Sequence, residues 1–108
     1  MTSSDLFDAV QQIADRGGEA TDVLQAVVAT IVERGGATWA AVFFYDEGEV
    51  IVGPHAGAAE PGERREAPIV VDGAHVAQLT VDGLDDQQLI ERVAVLNARY
   101  CTSPESLT

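Results

Sequence analysis

The chain has no lysine, a single cysteine, one tryptophan and only 6% aromatic residues. Its cations are six arginines against 18 acids, giving a formal charge of −12 and a pI near 4.2. Nucleic-acid binding needs cations that displace the counterions around phosphates. Here the one adjacent basic pair, Arg64-Arg65, is flanked by Glu63 and Glu66, so nucleic acid and anionic membrane surfaces are poor partners. The lone Cys101 excludes an internal disulfide framework and any Cys-x-x-Cys redox or zinc pair. Long apolar runs are missing too. The longest, residues 39–45, is seven residues, where a bilayer span takes ~20. The start of the chain lacks the charged-then-apolar pattern of a signal peptide, and the cytoplasm is the expected location. The acid excess has two readings: a GC-rich genome that writes Arg for Lys, with ordinary colloidal solubility, or adaptation to high salt, where ions screen the repulsion between carboxylates.

What is present is enough for one core: 108 residues, 46% of them hydrophobic, read as one domain over residues 1–101 with a frayed tail at 102–108. Leu6, Phe7, Val10, Ile13 and Ala14 recur at helical spacing before Gly17-Gly18. A second stripe, Leu24, Val27, Val28, Ile31 and Val32, begins after Thr21 as a cap and stops at Gly35-Gly36. Its β-branched residues lower helix propensity, so burial has to hold it. Residues 39–45 are apolar on both alternating faces, the pattern of a strand interior to a sheet. Asp46-Glu47-Gly48 turns it back into residues 49–52. Residues 53–65, rich in Gly, Pro and Ala and without periodicity, read as the longest irregular loop. Residues 69–71 and 75–81 form a second hairpin around Asp72-Gly73, a pair suited to a turn with positive φ at both positions, and Pro68 suits a strand start or an edge. Asp85 to Gln88 reads as a capping box opening a last helix with Leu89, Val93, Leu96 and Tyr100 on one stripe. The order α-α-β-β-loop-β-β-α is an α+β layer arrangement: an antiparallel sheet of about four strands, with two N-terminal helices and one C-terminal helix on one face.

A Leu/Val helix ending Glu-Arg-Gly-Gly-Ala, then Thr-Trp-Ala-Ala-Val-Phe-Phe, Val-Ile-Val-Gly-Pro-His-Ala-Gly, and Ala-Pro-Ile-Val-Val-Asp-Gly-Ala-His-Val-Ala-Gln-Leu-Thr-Val-Asp-Gly before a final helix together resemble the GAF domain over about residues 20–101. The resemblance implies a PAS-like sheet with helices on one face and a small-molecule cavity on the other. GAF domains usually roof that cavity with extra segments between the hairpins, for which this chain offers only residues 53–65. Val-Gly-Pro-x-x-Gly at residues 52–57 is similar to the free methionine-(R)-sulfoxide reductases, an enzymatic GAF branch that works through cysteines in and after this region. Ala58, Ala59, Glu60 and Pro61 follow here, so the attacking thiol is missing. The same absence argues against a covalently attached bilin.

Several side chains are candidates for function. Trp39, Phe43 and Tyr45 share one strand face, Val42 and Phe44 the other; core packing competes with an aromatic ligand box. With His75, Ala77, Leu79 and Val81 on one face and Leu79 and Val81 turned to the helices, Gln78 and Thr80 face a cavity or solvent. Arg64 and Arg65 can clamp an anion or pair with nearby acids. The ligand candidates are Phe44, His55, Arg65, Gln78 and Thr80. His55, His75 and Cys101 match no metal-ligand spacing, Cys101 is expected to pack as a small hydrophobe, and no catalytic triad order or phosphate loop is present. No cofactor is implied. The terminal helices carry more apolar surface than one stripe uses, which points to a homodimer through Leu6, Phe7, Val10, Ile13, Ile90 and Val95. The expected function is a non-enzymatic GAF-like sensory, small-molecule-binding or dimerisation domain. The alternatives are a degenerate sulfoxide reductase and an acidic protein-protein adaptor.

Overall fold

A computed structural model describes residues 3–46 and 48–101; the expected frayed tail at 102–108 and Glu47 of the first turn lie outside the described residues. Helices α1 (Ser3–Arg16) and α2 (Ala20–Gly35) precede β1 (Trp39–Asp46) and β2 (Glu49–Gly57). A 3-10 turn at Pro61–Glu63 leads into β3 (Arg64–Val71) and β4 (Ala74–Asp82). Helix α3 (Gln87–Leu96) and a second 3-10 turn (Ala98–Cys101) complete the order. The strands form one antiparallel sheet ordered β2-β1-β4-β3, so two hairpins lie side by side and β1 is interior, as its two apolar faces require. The second hairpin turns at Asp72 (φ 51°) and Gly73 (φ 82°), the two positive φ values expected there.

Helix α2 covers the β1–β2 half of one sheet face, α3 covers the β3–β4 half, and α1 lies against both helices. Ala40, Val42, Leu79 and Val81 of the sheet meet Leu24, Val28 and Ile31 of α2 and Ile90 and Val93 of α3, all at 2% exposure or less. Each such aliphatic burial is worth ~1.5–3 kcal/mol, which is how the β-branched sequence of α2 stays helical. The buried stripe of α2 begins at Val23, one position earlier than expected. The helix therefore starts at Ala20 with Glu19 as its cap residue, and Thr21 sits inside the first turn instead of capping it.

In α3 the cap is Asp86, whose Oδ1 accepts from Leu89 N at 3.1 Å; Asp85 is instead engaged by Arg65. With the cap at Asp86 the residue three on is Leu89 and not a Gln, so the expected capping box does not form; Gln87 donates to Glu66 O of β3 at 2.8 Å, tying helix to sheet. The expected stripe through Tyr100 is broken. Asn97 caps the helix and the chain tightens into the 3-10 turn. There Tyr100 Oη and Arg99 Nη2 both donate to Ala14 O, each at 2.6 Å, fastening the end of α1.

The largest departure from the sequence reading lies at residues 53–65. Instead of one long loop, β2 continues to Gly57 and β3 begins at Arg64, leaving only residues 58–63 between them. The glycines and proline that resemble loop composition serve the strand. The β1–β2 register shifts between Ala41 and Phe43, so Gly53 and Pro54 together oppose Val42 in a bulge. A β-carbon on Gly53 would collide with the Phe44 ring and stand 2.8 Å from Val42 O. Pro54 is tolerated because β2 is an edge strand. Gly57 has φ 87°, and a β-carbon there would overlap Thr38 O. Accordingly Gly53→Ala and Gly57→Ala should each destabilise by ~1–3 kcal/mol. Gly62→Ala, which meets nothing within 4 Å, should stay within ~0.5 kcal/mol of the parent. Urea unfolding followed by Trp39 fluorescence measures all three.

Candidate functional site

The face away from the helices is open, and strand alternation decides what it carries. From β1 come Trp39, Ala41, Phe43 and Tyr45; their ladder partners are Gly57, His55, Val52 and Val50 on β2. On the other side of β1 lie Asp82, Thr80 and Gln78 of β4, and beyond them Arg64, Glu66 and Pro68 of β3. A second register shift sets Ile69 opposite Ala77 but Val70 opposite His75. This bulge reverses the expected alternation at the start of β4: Val76 packs toward the core, and His75 stands edge-on to Tyr45 on the open face, ring centroids 4.7 Å apart.

The two ends of this face differ. At one end Asp82, fully buried, accepts from Arg64 Nε at 2.8 Å, Arg64 Nη2 at 3.0 Å and Glu60 N at 2.6 Å. The Arg64 guanidinium carbon also lies 4.9 Å from the centroid of the Trp39 ring, and Trp39 tilts against Phe43 at 6.0 Å. The Arg64 hydrogen bonds, reinforced by the Glu60 amide, hold the Asp82 carboxyl below its ordinary range against the opposing cost of burial. At the other end Tyr45 Oη donates to Gln78 Oε1 at 2.9 Å and Gln78 Nε2 to Thr80 Oγ1 at 3.3 Å, a polar row satisfied within itself. Around that end Val50, Val52 and Val70 are 59%, 60% and 49% exposed.

The ligand candidates are therefore split between the faces. His55, Gln78 and Thr80 stand on the face away from the helices, where Thr80 is buried at 1% exposure; Phe44 packs into the helix-side core, and Arg65 points to the helix side, where it pairs with Asp85. Both arginines of the Arg64-Arg65 pair are engaged by acids, Asp82 and Asp85, reached across the fold and not by the flanking glutamates. Asp82 carries no local signal of its role, because Val-Asp-Gly after a strand has the pattern of a turn. Its phase with Gln78 and Thr80, on the face of Trp39, is the signal that places it. Of the expected dimer residues, Leu6, Val10 and Ile90 are consumed by the core at 2% exposure or less, because α1 needs its stripe to dock on α2 and α3. Phe7 and Val95 line a shallow groove between α1 and α3, where the Arg92 guanidinium lies 4.1 Å from the Phe7 centroid; Ile13 is half-buried.

Cys101 packs in the helix-side core, where burial pushes its thiol up to about 12. It is thus protonated and unreactive near neutral pH. No helix among the described residues is long and apolar enough to cross a membrane.

No protein-family model and no curated protein matches this sequence. Solved structures do. Free methionine-R-sulfoxide reductase from Neisseria meningitidis, determined with its substrate, is 12% identical with a TM-score of 0.80, covering 98% of this chain and 92% of that one. The GAF domain of an Acinetobacter phosphoenolpyruvate-protein phosphotransferase is 8% identical with a TM-score of 0.79, covering 100% of this chain and 98% of that one. The chain has a GAF-like fold.

Asp82 yields a pH prediction. Its folded carboxyl titrates below the unfolded value, so its contribution is present above about pH 4 and is lost as pH falls through the folded value. Asp82→Asn should cost ~1–3 kcal/mol at pH 7, and the gap from the parent should shrink as thermal melts are moved toward about pH 2.

Proposed function

We propose that the chain is a non-catalytic GAF-fold interaction domain that works as a homodimer. The observation that carries this reading is an uncovered apolar surface on a chain of charge −12, with Val50, Ile51 and Val52 of β2 all between 46% and 60% exposed. Among the described residues, the four strands present only two acids on the open face, Asp82, neutralised by Arg64, and Glu66. On the helices, exposed positions carry Asp8, Asp15, Asp22, Glu33 and Glu91. Contiguous apolar surface of this kind marks a protein contact.

An enclosed small-molecule site has less support. The connection between β2 and β3 is held at the end of the sheet by Asp82, and Tyr45, Gln78 and Thr80 already satisfy one another. Catalysis of the reductase kind lacks an available thiolate, since Cys101 is buried on the opposite side of the sheet.

Sedimentation from about 10 μM to about 1 mM, the range suited to a small interface, should give a reversible dimer. Raising salt from about 0.05 to about 0.5 M should strengthen it, because screening relieves the repulsion between two acidic copies. A monomer at every concentration overturns the homodimer. With free methionine-(R)-sulfoxide and dithiothreitol the protein should show no turnover; turnover abolished by Cys101→Ser would instead restore the enzymatic reading.

A further inference from the structure

The two edges of the sheet are protected unequally. The β3 edge carries Pro68 with Arg64, Arg65 and Glu66, and α3 packs along it. Proline and charge of this kind prevent an edge from pairing with another strand. The β2 edge carries neither between Val50 and Val52, and those three consecutive side chains are exposed on both sides of the pleat: Val50 and Val52 on the open face, Ile51, at 46%, on the helix side beyond the reach of α2. A helix or small ligand laid on one face would leave the other face of β2 bare. Only a strand added in the plane of the sheet covers both.

We infer that two copies of the chain join edge to edge through β2, antiparallel about a two-fold axis at Ile51, merging their sheets into one. This placement rests on the homodimer reading above. The β1–β2 ladder starts from the Asp46–Glu49 pair, so antiparallel alternation directs the N–H and C=O of Val50 and Val52 away from β1. A two-fold at Ile51 sets Val50 against Val52 of the second copy and the reverse, using all of those groups, with the Ile51 side chains meeting on the axis. The same register sets Glu49 against Gly53, which has no side chain, so no like charges oppose each other. A two-fold at Val50 sets Glu49 against Ile51, and one at Val52 sets Val50 against Pro54, which has no N–H to give. The ladder ends naturally at Pro54, and the next carbonyl, His55 O, is already bound by Gln25 Nε2 at 3.0 Å. The competing α1–α3 groove is lined by Gln88, Glu91 and Arg92, and its Phe7 ring is already capped by Arg92.

The test separates the surface from the dimer itself. Ile51→Lys brings two cations together on the axis and should weaken sedimentation-measured dimerisation at least about tenfold, with the thermal melt retained because the site is exposed. In a Cys101→Ser background, Ile51→Cys should form a disulfide-linked dimer on mild oxidation. Non-hydrogen-bonded partners stand ~4.5 Å apart at Cα, within the disulfide range. Val70→Cys, similarly exposed but on the β3 edge, should remain uncrosslinked. A dimer indifferent to Ile51→Lys, equal crosslinking by Val70→Cys, or dissociation by Val95→Lys alone overturns the β2 edge while leaving the homodimer standing. A monomeric parent overturns both.

Discussion

Asp82 sits where four parts of the chain converge. Its carbonyl accepts from Thr38 N and Thr38 Oγ1, which aligns the entry to β1, while its carboxylate takes Glu60 N and both donors of Arg64. On either side, Ala58 N donates to Thr38 O and Gly83 N to Glu63 O. A carboxylate with no solvent exposure is costly unless its lone pairs are met by strong donors, and here a guanidinium and a backbone amide meet them. Satisfying that charge fixes the path of the chain between the hairpins. Residues 58–63 must pass close to the end of β4, and Arg64 must begin β3 as a paired strand residue. The short connection between the hairpins is thus held to the end of the sheet by the same contacts that close the fold.

That dependence explains what the sequence disclosed and what it withheld. The helical stripes of α1 and α2, the interior position of β1, the Asp72-Gly73 turn and the edge role of Pro68 were legible because each is a local pattern with one dominant physical meaning. The resemblance to GAF domains was legible for the same reason: it lives in the order of apolar segments and turns, which the solved structures share at 8–12% identity. The extension of β2 through residues 53–57 was hidden because Gly53, Pro54 and Gly57 look like turn residues until Phe44, Val42 and Thr38 are seen pressing against them. The Thr21 and Asp85 caps were misplaced by one or two residues. In each case tertiary contacts chose the boundary: burial of Val23 in α2, and the claim of Arg65 on Asp85 at α3.

The candidate site was harder to read, because face assignments hinge on bulges. A single extra residue near Val76 moves His75 onto the open face beside Tyr45, and nothing in residues 74–77 announces it. The sequence did place Trp39, Phe43 and Tyr45 together and gave Gln78 and Thr80 to the side away from the helices. Phe44 and Arg65 fell on the helix side, because their strands put them one residue out of phase with the open face.

Charge and shape then act together. The three helices carry six of the 18 acids, Asp5, Asp8, Asp15, Asp22, Glu33 and Glu91, alongside Arg16, Arg34 and Arg92, so the acidity is spread along the whole sequence. The face away from the helices is low in charge, its strands presenting Glu66 and the mutually neutralised Arg64–Asp82 pair. Burial inside the monomer removes Leu6, Val10 and Ile90 from any helix-mediated contact. For the proposed homodimer, this burial favours the sheet over the helices as the contact. A formal charge of −12 opposes any close approach of two copies, so such a contact depends on apolar burial and not on charge.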